Sequence, residues 1–251
     1  MNTKNLNFVV LFVFFTFLLS CSKNEIDNAP EIHDYRVQDI LYPKNSKLKR
    51  VYQIFGDNKN LSAEYQYDDL GRIIRVDFGD SAYDLYLYNA KGQLETINKH
   101  ISTIIQTITY SYDAEGNKVK ELYEWKDLNS EMRERYFLYQ YSGKKLIKQE
   151  QYWEDQHKLH IVYEYKDDIL VKEKSFVPGS KDYLTTDHFY EQNLLVYSMT
   201  YGGNSKSDFA SDVKRYYDHN DNLIRTVSNI PGLSSMAGAT VFLVTREYEY
   251  E

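Results

Sequence analysis

Cysteine, proline and glycine are scarce in this chain: one, four and eleven in 251 residues. A single cysteine cannot make a disulfide within one chain, so no cross-linked framework is available. So little proline and glycine, beside 42% hydrophobic and 27% charged residues, excludes a collagen-like or disordered chain and leaves a globular one. Basic residues are also in deficit, 30 against 37 acidic, which argues against nucleic acid and anionic headgroups as partners. No G-x-S-x-G, G-x-G-x-x-G or P-loop pattern occurs. After residue 20 no window shows a convincing helical period.

The one long apolar run is FVVLFVFFTFLL, residues 8–19, with Lys4 ahead of it. It is shorter than the roughly 20 residues that a spanning helix needs and reads as a secretory signal. It closes on Leu18-Leu19-Ser20-Cys21, which resembles the lipobox of bacterial lipoproteins. That resemblance implies cleavage before Cys21 and a lipid-modified Cys21 as the new N-terminus. The processed chain would lose only Lys4, leaving 29 basic and 37 acidic residues and a formal charge of −8. Residues 1–20 are therefore expected to be the signal peptide, 21–31 the lipidated cysteine and a polar tether, and 32–251 a single β domain. By the same resemblance, Ser22 implies the outer membrane, while Glu25 and Asp27 are compatible with display at the cell surface on its outer side.

What the chain has in abundance is tyrosine, 25 in all, arranged as a repeat. YQYDDLG at Tyr65 returns as YLYNAKG, YSYDAEG, YQYSGKK, YEYKDDI, HFYEQNL, RYYDHND and a closing YEYE. The second aromatics are Tyr67, Tyr88, Tyr112, Tyr141, Tyr165, Tyr190, Tyr217 and Tyr250, spaced 21 to 33 residues apart. So loose a period fits hairpins with variable loops rather than a rigid solenoid. Asp68, Asn89 and Asp113 each precede a Gly by three positions, the pattern of a type I turn closed by a left-handed residue in a G1 bulge. The turns 142–145, 166–169 and 191–194 are one residue shorter and read as two-residue hairpins. Flanking residues alternate, with Tyr65 and Tyr67 opposing Glu64 and Gln66, as in half-buried antiparallel strands. Two strands per unit plus leading segments at 32–41 and 48–55 predict about sixteen strands in meander order.

The motif Y-x-Y-D-x-x-G-R, complete only at residues 65–72, resembles the YD repeats of RHS and teneurin proteins. The whole layout, lipobox plus degenerate hairpins, resembles a family of Gram-negative lipoproteins of unknown function with a porin-like fold. The fold expected is an all-β meander forming a curved or flattened β-barrel. It is expected not to span the membrane, because lipid would not accept a face carrying Glu121, Lys148, Glu164, Lys172 and Lys174. Inward tyrosines and aliphatic residues are expected to collapse the lumen of so wide a barrel.

Binding is expected at the end opposite the short turns, where connections at 79–84, 126–134, 154–158, 178–186, 202–211 and 229–240 differ from one another. Trp125 and Trp153 occupy equivalent positions there once the shorter turn is counted, with Tyr123, Tyr152 and Tyr201 as neighbours. Such aromatics suit a glycan or a peptide, or simply cover the end of the core. His157 and His160 are read as pointing to opposite faces of a strand, so no metal is expected. Asp218-x-Asn220-x-Asn222 lacks the Gly and Glu of a calcium loop and reads as another hairpin turn. No cofactor and no catalytic residue is indicated. The expected role is a non-enzymatic, lipid-anchored envelope scaffold that binds glycan or protein; a structural or assembly role is the alternative, and a polysaccharide hydrolase a third.

Overall fold

The computed structural model describes residues 35–37, 41–79, 81–126, 131–204, 209–231 and 241–251. The signal segment, Cys21 and the tether lie outside these, as do residues 127–130, 205–208 and 232–240 within three of the long connections. The strands are β1 (Leu48–Phe55), β2 (Asn58–Tyr67), β3 (Ile73–Asp77), β4 (Ala82–Tyr88), β5 (Leu94–Ile101), β6 (Ile104–Tyr112), β7 (Lys118–Lys126) and β8 (Met132–Ser142). They continue as β9 (Lys145–Trp153), β10 (Gln156–Lys166), β11 (Ile169–Phe176), β12 (Tyr183–Glu191), β13 (Leu194–Gly202), β14 (Phe209–Tyr217), β15 (Leu223–Pro231) and β16 (Val241–Tyr250). Each pairs antiparallel with the next, and β16 pairs with β1, so the meander closes into a sixteen-stranded barrel. Closure removes the edges that an open curved sheet would leave unpaired.

Of the expected leading strand at 32–41, the described residues 35–37 and 41 lie outside the sixteen strands, and Arg36 makes a parallel bridge to Tyr217. The stagger of the wall explains this: β13 pairs with β14 only as far as Lys214, which leaves the backbone of Tyr217 free to bond Tyr35 and Val37.

Register carries one face round the wall, with Val51 opposite Ala63, Tyr65 opposite Val76, Tyr86 opposite Ile97, and Tyr110 opposite Glu121. Val51, Ala63, Val76 and Ile97 on this face are 1–7% exposed, whereas Leu61, Leu87 and Ile105 on the other are 48–57% exposed. The crowded face is the concave one, so the repeated tyrosines line the lumen. None of the described side-chain contacts joins strands more than two apart; they run around the wall and not across it. The outer face is laced by neighbouring charges, including Lys174 to Glu164 at 2.7 Å and Arg75 to Asp77 at 2.6 Å. Glu121 departs from the expectation: a bulge in β7 shifts the count, and it points into the lumen at 8% exposure.

The turns follow the chemistry of their residues. Gly71, Gly92 and Gly116 have φ of 77°, 78° and 83°, and each amide bonds back to Asp68, Asn89 or Asp113. Asp218 builds the same turn, with Asp221 at φ 68° in place of Gly, so the calcium-like stretch is a hairpin turn as read. Asp167-Asp168 and Gln192-Asn193 are two-residue turns with both φ positive. The opposite end is less irregular than expected: Gly56-Asp57, Ser102-Thr103 and Glu154-Asp155 are also two-residue turns, because Phe55 pairs with Asn58, Ile101 with Ile104, and Trp153 with Gln156.

Beside every one of the eight marker tyrosines the register slips by one residue. The extra residue on the partner strand is apolar and β-branched in six cases: Ile74, Val119, Ile147, Val171, Val196 and Ile224. A bulge increases local twist and disrupts the ladder beside it. The tyrosine of the next hairpin makes good that disruption. Tyr88, Tyr112, Tyr141, Tyr165, Tyr217 and Tyr250 donate to the carbonyls of Ile73, Leu94, Lys118, Leu146, Leu195 and Leu223, each the residue just before a bulge, at 2.7–3.0 Å.

Candidate functional site

The two tryptophans do meet. Trp125 is the penultimate residue of β7 and Trp153 the last of β9, and their rings touch edge to face with centroids 6.0 Å apart. β8 runs between them, placing Arg133 opposite Trp125 and Arg135 opposite Trp153. Trp153 remains 43% exposed, so its ring is available at the long-loop mouth. Tyr123, two residues from Trp125, shares the lumen face, and the Arg135 guanidinium lies 4.4 Å from its ring centroid, within cation–π range. Arg135 Nε is buried without a hydrogen-bond partner, and the guanidinium lies against the rings of Tyr123 and Phe137.

Below the mouth stands a charged anchor. Glu121 accepts from Lys118 Nζ at 2.6 Å, the Tyr123 hydroxyl at 2.5 Å and the Tyr139 hydroxyl at 2.7 Å. Burial pushes the Glu121 carboxyl upward, but these three donors together outweigh it and hold it below the ordinary carboxylate value. Burial and then Glu121 push the Tyr123 and Tyr139 phenols up, so both stay protonated donors.

The other two aromatic candidates do not join this site. Tyr152 alternates to the outer wall, stacked on Tyr136 at 4.8 Å and on His157 at 5.1 Å. Tyr201 sits four strands away from β9, 3% exposed, with its hydroxyl donating to Asp187. The pairing of His157 and His160 is also corrected. Tyr152 opposes His157 while Gln151 opposes Leu159, so Lys158 is an extra residue and both imidazoles face outward, 5.6 Å apart. They continue through Phe176 to Tyr183 as a stacked outer ladder. Among the described residues no group of three or more histidines, cysteines or carboxylates could hold a metal.

Arg135 was missed in the sequence. Its signal is period two: counting back from Tyr139 through Phe137 puts Arg135 on the tyrosine face, one strand from Trp125 and one from Trp153.

The architecture is that of a porin-like protein, in the sense of a wide closed antiparallel barrel. No protein-family model matches the chain, and no curated relative does. A porin-like protein from Bacteroides uniformis ATCC 8492 shares the fold with a TM-score of 0.52 at 11% identity, over 84% of this chain and 100% of that one. A porin-like protein from Bacteroides vulgatus ATCC 8482 does so with a TM-score of 0.52 at 12% identity, over 82% and 99%. At such identities the likeness is one of fold, and function rests on the site.

Proposed function

We propose that this chain is a lipid-anchored protein of the outer membrane, held by Cys21, whose barrel does not cross the bilayer and whose long-loop mouth binds glycan. The carrying observation is the Trp125–Trp153 pair with Arg135 and Tyr123 beside it: one exposed indole face for a sugar ring and cationic edges for its hydroxyls or acidic groups. The outer wall supports the extramembrane reading, since mid-strand Lys148, Lys172 and Lys174 facing lipid would each cost about 2–4 kcal/mol. The role is binding and not catalysis.

A glycan-array screen of the full chain, with Trp125→Ala/Trp153→Ala as control, tests the reading. Glycan binding that disappears in the double variant is expected; binding that survives it removes the aromatic platform. Cys21→Ser should release the protein from the detergent-extractable membrane fraction, and a variant that stays there removes the anchor.

A further inference from the structure

On the lumen face two lysines have carboxylates beside them: Lys99 lies 2.8 Å from Asp84 and Lys118 2.6 Å from Glu121. The sector from β13 to β16 is different. Arg215, Thr226 and Arg246 stand opposite one another in a single row across β14, β15 and β16. Tyr248, on the same strand face as Arg246, opposes Val51, which fixes the row on the lumen side. The strand carboxylates of the sector, Asp212, Glu247 and Glu249, point outward, where Glu247 meets Lys59 and Arg225, and Glu249 meets Arg50. A chain with seven more acidic than basic residues thus leaves two guanidinium groups together in its lumen with no carboxylate beside them.

The hydrogen bonds sharpen this. Arg215 Nη1 donates to Ser198 Oγ at 2.9 Å. Ser198 Oγ is 3.0 Å from His188 Nδ1, and His188 Nε2 is 3.1 Å from Glu173. The acid, imidazole and hydroxyl are those of a nucleophilic relay, but here the hydroxyl oxygen is an acceptor for Arg215 and the row ends on that cation. Glu173 is engaged by His188, and Arg215 meets the neutral hydroxyl oxygen of Ser198. Among the described residues Arg246 has no ion pair or hydrogen bond from its side chain. Arg246 is exposed and Arg215 part-buried; arginine cannot discharge itself by losing a proton, and the part-buried charge of Arg215 without a counter-charge is costly. An anion in the row removes that cost.

We propose that the lumen face of β13–β16 is an oxyanion-binding site, in which Arg215 and Arg246 hold a carboxylate, sulfate or phosphate group and the hydroxyls of Thr226 and Tyr248, 3.3 Å apart, complete the cradle. The site lies near the short-turn end, two residues from Tyr217, and is separate from the tryptophan mouth. It stands whether or not the mouth binds glycan.

The test is isothermal titration and thermal unfolding of the full chain in detergent with sulfate, phosphate and acetate, at constant ionic strength made up with chloride. Saturable binding of at least one of the three is expected, and the preferred probe separates a tetrahedral dianion from a carboxylate. Arg246→Gln, at an exposed position, should keep the far-ultraviolet circular dichroism of the parent and weaken binding about tenfold. Arg215→Gln should abolish it. No saturable binding to any probe, or binding unchanged in Arg246→Gln and in the Arg215→Gln/Arg246→Gln pair, overturns the site. If Arg215→Gln does not fold, Arg246→Gln alone decides.

Discussion

Tyr67 on β2 donates its hydroxyl to the carbonyl of Leu48 on β1 at 2.6 Å, and Leu48 is the residue before the register slip that joins β1 to β16. The same bond recurs round the wall at Tyr88, Tyr112, Tyr141, Tyr165, Tyr217 and Tyr250, so seven of the eight bulges are sealed by the tyrosine of the next hairpin, Tyr190 being the marker tyrosine that makes no such bond. Tyr112→Phe and Tyr217→Phe should each cost about 1 kcal/mol of unfolding free energy in urea, the worth of one buried hydrogen bond. The two lie on β6 and β14, so the double variant should cost about 2 kcal/mol by additivity. A loss near zero for both would mean that the bulges need no seal.

The short-turn glycines act through backbone conformation. Gly92 sits at φ 78°, and a Cβ there would meet nothing closer than Arg72 Nη1 at 3.9 Å, so Gly92→Ala isolates the left-handed penalty from any clash. A destabilisation of about 1 kcal/mol is expected by urea titration. The same change at Gly71 should cost about as much, because the nearest atom, Lys47 Cε at 3.2 Å, is the far end of a flexible side chain that can move aside.

Glu121→Gln keeps the shape of the lumen anchor and removes its charge from Lys118 and two phenols. The loss should be about 2 kcal/mol at pH 7. Because the folded carboxyl is held below its ordinary value, its contribution is present above the unfolded pKa and fades as pH falls through the folded one. The parent and the variant should therefore converge in stability in acid; a gap that stays constant with pH would refute the assignment.

His160 responds in its own window. Burial first, then His157 and Lys148, hold its imidazole below the ordinary value of 6.5, so the unfolded chain binds its proton more readily than the folded one. Stability should fall as pH drops below 6.5, and His160→Phe, which keeps a ring in the ladder with Phe176, should flatten that part of the profile. Thermal unfolding between pH 7.5 and 5 is the measurement.

Much of the wall was legible from the chain because turns and alternation are local. Asp68 and Gly71 specify their turn within four residues, and Trp125 and Trp153 fall in equivalent places by counting alone. The count failed where the strand itself carried a bulge. Period two puts His157 and His160 on opposite faces, but the extra Lys158 restores them to one. It misread the surroundings of Glu121 for the same reason, and it credited Tyr152 and Tyr201 to a mouth that neither reaches.

By itself the sequence determined how many hairpins there would be, how each would turn and which face would carry the tyrosines, because φ preferences and the pleat act over a few residues. Only the tertiary structure decided that β1 would close on β16, that a tyrosine hydroxyl would seal its neighbour's bulge, and that Arg215 and Arg246 would share a row without a carboxylate. Those relations depend on which strands lie side by side and in what register, and register is set by the whole ring.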